Sequence, residues 1–96
     1  MAINKFAGFK YIFSESAKRD LKKLDKQIVV KIIKKLDELV AGKENLDIKT
    51  MISIKPQRYR LRVGDYRVLF EEFNNEIVII IIAVGHRKDI YKKMVK

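Results

Sequence analysis

The alternation of apolar and polar positions is strongest between residues 59 and 73, where it predicts a β-hairpin. Residues 59–63 alternate apolar and basic side chains, Gly64 and Asp65 form a two-residue turn of the type that begins with glycine, and residues 66–73 return. If Gly64 and Asp65 are the turn, the register of the two strands is fixed. The predicted pairs are Val63 with Tyr66, Arg62 with Arg67, Leu61 with Val68, and Arg60 with Leu69.

This register divides the hairpin into a basic face and an apolar face, because residues directly opposite one another project to the same side of a sheet. Arg60, Arg62 and Arg67 share the basic face. Like charges placed opposite each other destabilise a sheet, so stability alone does not favour this arrangement, and we expect an anionic ligand there. The apolar face, which we predict to be core, collects Tyr59, Leu61, Val63, Tyr66, Val68 and Phe70.

A second hairpin is predicted from a strand at residues 76–84 that is apolar on both faces. Asn74 and Asn75 are a favourable pair for a type I′ turn before it, and Gly85 breaks the strand after it. A strand of this kind is usual in a sheet that is covered on both sides. The helices can cover one side only, so the other side is either a ligand cleft or a surface for a partner chain. The predicted pairs are Phe70 with Ile79, Val68 with Ile81, and Arg67 with Ile82.

The N-terminal half of the chain carries the helical periodicity. Residues 10–13 are a short apolar segment, which we predict to be a first strand, and Ser14 is a candidate N-cap. Apolar residues then recur every three or four positions on both sides of Asp25. This spacing indicates two amphipathic helices, or one helix broken near Asp25, ending before Gly42. The main apolar positions are Ala17, Leu21, Leu24, Ile28, Ile32, Leu36 and Leu39, and the lysines fall mostly on the outer face.

These elements predict an α+β domain in which two N-terminal helices pack on a twisted antiparallel sheet of about four strands. Residues 42–57 are polar and irregular, with 51–54 as a candidate short strand. Asp89 can cap a short C-terminal helix that begins near Ile90. At 96 residues the chain is long enough for one modest core, so we expect residues 1–96 to form a single domain.

The net charge of +10 favours polyanionic partners or an acidic protein partner. Five of the six arginines lie in the second half of the chain, whereas the helices carry mostly lysine. The planar guanidinium group suits phosphate recognition, while lysine is common on a solvated helix face. With no cysteine and a single histidine, the chain has no disulfide framework, thiol nucleophile or histidine-rich metal site. We therefore expect no metal and no cofactor.

Targeting signals are not evident in the sequence. The N-terminus shows no signal-peptide pattern, and the apolar run from 77 to 84 is far too short to span a bilayer. We therefore expect a cytoplasmic protein that does not bind a membrane.

The order of two helices and then antiparallel strands, combined with YRLRVGDYRV at 59–68 and GHRKDIY at 85–91, resembles the RelE toxins of the RelE/ParE superfamily. The resemblance covers most of the chain. It implies a ribosome-dependent ribonuclease that cleaves mRNA in the decoding site, with the substrate's own 2′-hydroxyl as nucleophile and without a metal. It also implies a cognate RelB-like antitoxin that holds the toxin inactive, and an antitoxin complex through which alone operator DNA is contacted.

The same resemblance implies roles for particular residues. Arg67 matches the family's phosphate-stabilising arginine, Arg87 matches the arginine that supports the phosphate and leaving group, and Tyr91 matches the tyrosine that orients or activates the nucleophile. Arg60 and Arg62 stand where well-studied members carry two lysines, and arginine practically cannot act as a base. We expect Arg62 to join the catalytic set and Arg60, His86, Lys55 and Lys88 to contact RNA, with the general base open among Tyr91, His86, Lys55 and Lys88.

Two other functions compete with this hypothesis. Within the superfamily, a ParE-like protein that poisons DNA gyrase has no need of a phosphodiester-cleaving set, so Arg67, Arg87 and Tyr91 together argue against it. A non-catalytic nucleic-acid-binding module is the function that a charge of +10 alone would indicate. Such a module would bind free RNA or DNA in a strongly salt-dependent way and would cleave neither.

Overall fold

The helices and strands follow one another in the order that the sequence predicts, with one strand more than expected. The computed structural model describes residues 4–51, 57–73 and 76–93, without the side chains of Tyr91 and Lys93. The elements are β1 (Lys10–Phe13), α1 (Glu15–Lys22), α2 (Lys26–Val40), β2 (Ile48–Met51), β3 (Arg58–Val63), β4 (Tyr66–Glu72), β5 (Val78–His86) and a 3-10 helix, here called the C-terminal turn (Ile90–Lys93).

The sheet is mixed and has five strands in the order β1-β5-β4-β3-β2, so the prediction of about four antiparallel strands is wrong. β1 pairs with β5 in parallel, while the other neighbours are antiparallel. β1 lies at one edge, and the two helices carry the chain to the other edge, so β1 pairs with the last strand instead of the next one. β2 is a short edge strand at 48–51, earlier than the predicted 51–54, of which residues 52–54 lie outside the described ranges.

The first predicted hairpin has the predicted register. Val63 pairs with Tyr66 and Arg62 pairs with Arg67 across the Gly64-Asp65 turn. Gly64 has a φ of +58°, the left-handed conformation that glycine adopts at little cost.

The predicted register of the second hairpin is wrong by two residues near the turn and by three near Arg67. Phe73 N donates to Val78 O at 2.9 Å, so the connection is longer than a two-residue turn; its Asn74 and Asn75 lie outside the described residues. A β-bulge adds one further residue, because Leu69 pairs with Ala83 while Phe70 pairs with Ile81. The observed pairs are therefore Phe70 with Ile81, Val68 with Val84, and Arg67 with Gly85, and β5 continues through Gly85 to His86.

Both helices lie on one face of the sheet, where the core is. Five of the six residues of the predicted apolar face of the hairpin are buried there, together with Ile32, Leu36 and Leu39 of α2. The sixth, Tyr66, is only partly buried and lies outside this core cluster, so the prediction is wrong for that residue. The shift of two residues at Ile79 and Ile81 leaves both side chains on this face, since side chains alternate along a strand. The prediction that Ile79 and Ile81 face the core is therefore correct, although their predicted pairing partners are wrong.

The N-terminal segment before β1 also belongs to the core, which the sequence does not reveal. Phe6 is 2% exposed and makes edge-to-face contacts with Phe9, Tyr59 and Phe70 at centroid distances of 5.0–5.4 Å. Such aromatic pairs are stabilising beyond the area that they bury. This segment therefore covers the end of the core near the start of β3.

Polar contacts fix the helices against the sheet. Ser14 caps α1 as predicted, because its Oγ accepts the Ala17 N–H at 3.0 Å. Asp20 of α1 is buried, and its Oδ2 accepts the Val84 N–H at 2.9 Å, close to the bulge in β5. The bond anchors α1 to β5 just after the bulge. None of the helices in the described part of the chain is long and apolar enough to cross a membrane.

A buried side chain of α2 tests the assignment of the core. Ile32 is fully buried, whereas Val30 on the same helix is 62% exposed. We expect Ile32→Ala to lower the free energy of unfolding by about 2–5 kcal/mol, since it removes buried methylene and methyl groups and leaves a cavity. Val30→Ala should change it by less than about 0.5 kcal/mol. Urea unfolding followed by circular dichroism measures both, and equal effects would contradict this core.

An ion pair between the N-terminal segment and β4 predicts a change in acid stability. Lys5 Nζ lies 2.6 Å from Glu72 Oε1, and the Tyr59 hydroxyl donates to the same oxygen at 3.0 Å. The bond from Lys5 holds the pKa of Glu72 below its usual value. A lowered carboxylate pKa gives stability that is present above the unfolded-state pKa and is lost as the pH falls through the folded-state pKa.

Glu72→Gln should therefore reduce stability at neutral pH and make the decline below about pH 4.5 shallower than in the wild type. Urea unfolding at a series of pH values from neutral to strongly acidic gives both slopes. Glu76→Gln, at an exposed position within the connection between β4 and β5, is the control for the loss of one negative charge. Parallel curves for the wild type and Glu72→Gln would show that this ion pair does not contribute.

Candidate functional site

The face of the sheet away from the helices carries a cluster of arginines on β3 and β4. Arg62 and Arg67 are directly opposite each other, and Arg60 and Arg58 project to the same side further along β3. We call these four residues the arginine face. The arrangement follows from the alternation of side chains along β3, whose apolar positions all point to the core. The structure thus brings Arg60, Arg62 and Arg67 together as predicted.

Arg67 is the most deeply buried charge of this face. It is 7% exposed, and its Nη1 donates to the carbonyl oxygens of Gly64 at 2.9 Å and Tyr66 at 3.0 Å. These bonds fix the guanidinium group against the turn. Its Nε is buried and has no hydrogen-bond partner among the described residues. A buried donor without a partner costs about 1–3 kcal/mol, so Arg67 retains capacity to bind an acceptor oxygen.

Acidic side chains accompany the other arginines. Asp47, just before β2, lies between Arg60 and Arg62, with oxygen–nitrogen distances of 3.4 Å and 3.8 Å. Arg58 Nε contacts Glu71 at a shorter 2.6 Å. Three of the four arginines thus have an ion-pair partner in the protein itself. No local sequence pattern marks Asp47, since it lies in the irregular segment before β2 and only the strand pairing brings it to this face.

Arg87 lies at the same end of the sheet as Arg62 and Arg67, beside the hairpin turn. Its backbone N–H donates to Asp65 O at 2.7 Å, and its Nε lies 3.8 Å from Asp65 Oδ1. Both side chains are largely exposed. Three predicted catalytic arginines therefore come from two segments of chain that meet at one end of the sheet.

His86 projects to the other side of the sheet from Arg67. It is paired with Tyr66, and the two rings are in edge-to-face contact at 5.4 Å. Its Nδ1 accepts the Lys88 N–H at 3.1 Å, so the neutral ring carries its proton on Nε2. His86 is thus at the correct end of the sheet but not on the arginine face, while Lys88 is exposed in the following loop.

The C-terminal turn packs on the arginine side of the sheet. Ile90 is fully buried against Leu69 and Ala83, which project to the same side as Arg67. It also lies over Gly85, where a Cβ atom would meet Ile90 Cδ1 at 3.3 Å. The predicted short C-terminal helix is a single 3-10 turn in the described residues. The backbone of residue 91 therefore follows directly on Ile90, which is anchored beside Arg67. The side chain of Tyr91 and the whole of Lys55 lie outside the described residues.

An apolar region adjoins the arginine face on β1 and β5. Ile12 is 46% exposed and pairs with the half-buried Ile80, and Ile82 packs at the edge of the cluster formed by Leu69, Ala83 and Ile90. The helices lie on the other side and do not cover it. Among the described residues, no group of three or more His, Cys, Asp and Glu side chains could hold a metal ion.

The chain matches the family model of the ParE toxins of type II toxin–antitoxin systems over residues 11–91. No curated protein sequence matches it. Three solved structures illustrate the likeness of fold. A chain of the RelB-RelE antitoxin–toxin complex from Methanococcus jannaschii is 32% identical, with a TM-score of 0.65 over 85% of this chain and 96% of that one.

The toxin–antitoxin complex RelBE2 from Mycobacterium tuberculosis gives a TM-score of 0.72 at 24% identity, over 88% of this chain and 98% of that one. The isolated RelE toxin from E. coli gives 0.63 at 23% identity, over 91% and 95% of the two chains. At these identities the likeness shows the fold, and the five-stranded sheet with two helices on one face is shared with RelE proteins.

The contacts of Arg67 predict that its side chain contributes more to the free energy of unfolding than that of Arg62, which faces it. Arg67→Lys keeps the charge but removes the guanidinium nitrogen Nη1, which donates to the carbonyl oxygens of Gly64 and Tyr66, so we expect a loss of about 1–3 kcal/mol of unfolding free energy. Arg62→Lys, with a side chain that is 53% exposed, should cost less than about 0.5 kcal/mol. Urea unfolding of both variants tests this, and equal losses would contradict the anchoring of Arg67.

Proposed function

Because the chain belongs to the ParE family of toxins of type II toxin–antitoxin systems, within the RelE/ParE superfamily, we propose that it is a ribosome-dependent endoribonuclease. It would cleave mRNA in the ribosomal A site and so inhibit translation. The observation that carries this proposal is the facing pair Arg62 and Arg67, with Arg87 at the same end of the sheet. We propose that residues 1–96 act as one such toxin domain in the cytoplasm.

The proposed reaction is transfer of the phosphoryl group within the RNA chain. The 2′-oxygen attacks the adjacent phosphorus, the bond to the 5′-oxygen breaks, and the products are a 2′,3′-cyclic phosphate and a 5′-hydroxyl end. A proton leaves the 2′-hydroxyl and another reaches the 5′-oxygen. The reaction needs stabilisation of the negative charge on the phosphoryl oxygens, which guanidinium groups provide without a metal.

We assign the roles by position. Arg67 and Arg62 would stabilise the phosphoryl oxygens, because they face each other on the side of the sheet away from the helices, and Arg87 would support the phosphate and leaving group from the turn. Tyr91 would orient or activate the nucleophile, since Ile90 anchors its backbone on the same side. Arg60, His86, Lys55 and Lys88 would contact RNA. His86 faces Tyr66, so it is a weaker candidate for the general base than Tyr91.

DNA gyrase inhibition is the second candidate, because the matching family model is that of the ParE toxins. The arginine pair favours the ribonuclease: a protein that binds another protein has little reason to place Arg62 opposite Arg67, at a cost to the sheet. A non-catalytic nucleic-acid-binding module would use the same charges. It differs from both by binding free RNA without cutting it.

We propose that a RelB-like antitoxin binds this chain, as RelB does in the Methanococcus jannaschii complex. The apolar region around Ile12 and Ile80 gives physical support, since it is aliphatic, partly exposed and not covered by the helices. An extended, partly acidic antitoxin segment would cover it and the arginine face and would become ordered on binding. Operator DNA would be contacted only through that complex.

The test of the proposed function is primer extension on a defined mRNA, with ribosomes stalled at an empty A site. We expect cuts at the A-site codon that require the ribosome, and a decrease of at least about 100-fold in rate for Arg67→Ala, as for other groups that stabilise transition-state charge. Tyr91→Phe should lower the rate at unchanged ribosome binding.

Arg58→Gln is the matched control, because Arg58 lies on the same face but pairs with Glu71 away from the turn. It should retain most of the cleavage. If the wild-type protein makes no cuts, the ribonuclease proposal is wrong, and a DNA supercoiling assay with gyrase decides the second candidate. Equal losses in Arg58→Gln and Arg67→Ala would place the site elsewhere on the face.

A further inference from the structure

One carboxylate of the site lies where a bound phosphate would be expected. The side chain of Asp47 reaches two arginines with different oxygens, Oδ1 to Arg60 Nη2 at 3.4 Å and Oδ2 to Arg62 Nη1 at 3.8 Å. Its backbone carbonyl accepts the Arg62 N–H at 2.9 Å, so strand pairing fixes it beside β3. A phosphate group bridges neighbouring guanidinium groups through separate oxygens in the same way.

The two ion pairs are loose. Charge-assisted bonds between a guanidinium group and a carboxylate are about 2.7–2.9 Å long, and both distances here are longer. The side chains of Asp47 and Arg62 are 43% and 53% exposed, and exposed ion pairs of this kind contribute little to stability, whereas Arg60 is the more buried partner with a side chain that is 14% exposed. The carboxylate is therefore held near the arginines mainly by the backbone and can be displaced without unfolding β2.

The same arrangement occurs a second time in the site. Asp65 accepts the Arg87 N–H through its backbone carbonyl at 2.7 Å, and its Oδ1 lies 3.8 Å from Arg87 Nε. In both places an aspartate bonds the backbone of an arginine and leaves its carboxylate loosely beside the guanidinium group. Three arginines of the proposed site are thus partly neutralised by carboxylates that are not bound tightly.

We propose that Arg60 and Arg62 form an anion-binding site for a phosphate of a polynucleotide chain, which the Asp47 carboxylate occupies in the free protein. A phosphate must displace this carboxylate, which the fold holds at a high effective concentration. A single phosphate ion competes poorly against it. A polynucleotide competes well, because its other phosphates are held at Arg67 and Arg87. Asp47 thereby makes the site selective for chains over free phosphate.

That the biological ligand is RNA rests on the proposed function. Anion binding itself does not require cleavage and can be measured separately. The test therefore uses a non-cleavable ligand, a 2′-O-methyl RNA oligonucleotide of about ten nucleotides, and inorganic phosphate as the single-anion probe. Binding is measured by fluorescence anisotropy for the oligonucleotide and by NMR titration for phosphate.

Asp47→Asn keeps the size and shape of the side chain and removes the charge. We expect it to tighten oligonucleotide binding by about 3–10-fold at low salt, because no carboxylate has to be displaced before the phosphate binds. Phosphate binding should become measurable in this variant. Arg62→Gln added to Asp47→Asn should abolish the gain.

Glu15→Gln is the matched control, because it also removes one negative charge but from an exposed pair with Lys18 on α1. It should change the affinity by less than about twofold, since charges in bulk solvent are screened beyond about 10 Å. Equal gains in Glu15→Gln and Asp47→Asn would overturn the proposal and leave a general effect of net charge. Weaker binding by Asp47→Asn would also overturn it and make Asp47 a residue that only positions Arg60 and Arg62.

The outcomes separate this inference from the proposed function. Tighter binding by Asp47→Asn, together with no cleavage by the wild-type protein on the ribosome, would support the anion site and refute the ribonuclease. A slower cleavage step in Asp47→Asn at unchanged oligonucleotide affinity would refute the inference, because it would assign Asp47 to proton transfer in place of competition with phosphate.

Discussion

The pairing of β3 with β4 across the Gly64-Asp65 turn determines both the core and the candidate site. Side chains alternate along each strand, so one register places Leu61 and Val68 against the helices and Arg62 and Arg67 on the other side. A slip of one residue would reverse every side chain and bury the arginines. The hydrophobic effect thus enforces the proximity of two like charges, because the core cannot form without bringing them together.

The protein reduces the cost of this proximity in two ways. Arg67 is held by the carbonyl oxygens of the turn itself, so the dipoles of the backbone compensate its charge. Arg62 is exposed, where water screens it, and has Asp47 nearby. Among the described residues, neither Arg62 nor Arg67 forms a short ion pair, in contrast to Arg58, whose Nε contacts Glu71 at 2.6 Å. At the turn end of the sheet, Arg62 and Arg87 thus have only ion pairs of 3.8 Å among the described residues.

The register of β3 and β4 can be predicted from the sequence because the residues that determine it are close together in the chain. Alternation and a two-residue turn give the register of β3 and β4 without knowledge of the rest of the fold. The predicted register of the second hairpin is wrong for two reasons. Its connection is longer than the Asn-Asn pair suggests. Ile82 also forms a bulge within an unbroken apolar run, where no polar residue marks the register. The parallel pairing of β1, the burial of Phe6 and the position of Asp47 are long-range, and no local pattern encodes them. The side to which His86 projects is likewise not encoded by a local pattern, since the bulge determines it.

The bulge also explains how one strand can serve two different surfaces. Before Ile82, the side chains of Ile79 and Ile81 fill the core, while Ile80 projects to the apolar region beside Ile12. After it, the alternation is reset, so that Val84 enters the core and Gly85 is placed opposite Arg67. If β5 paired regularly with β4 beyond Ile81, with no bulge, Val84 would be opposite Arg67 and would project to its side of the sheet. In the structure Gly85 takes that position, and Ile90 lies against it. A branched side chain at that point would exclude the C-terminal turn, so the bulge is what allows Ile90 to anchor the turn beside the arginines.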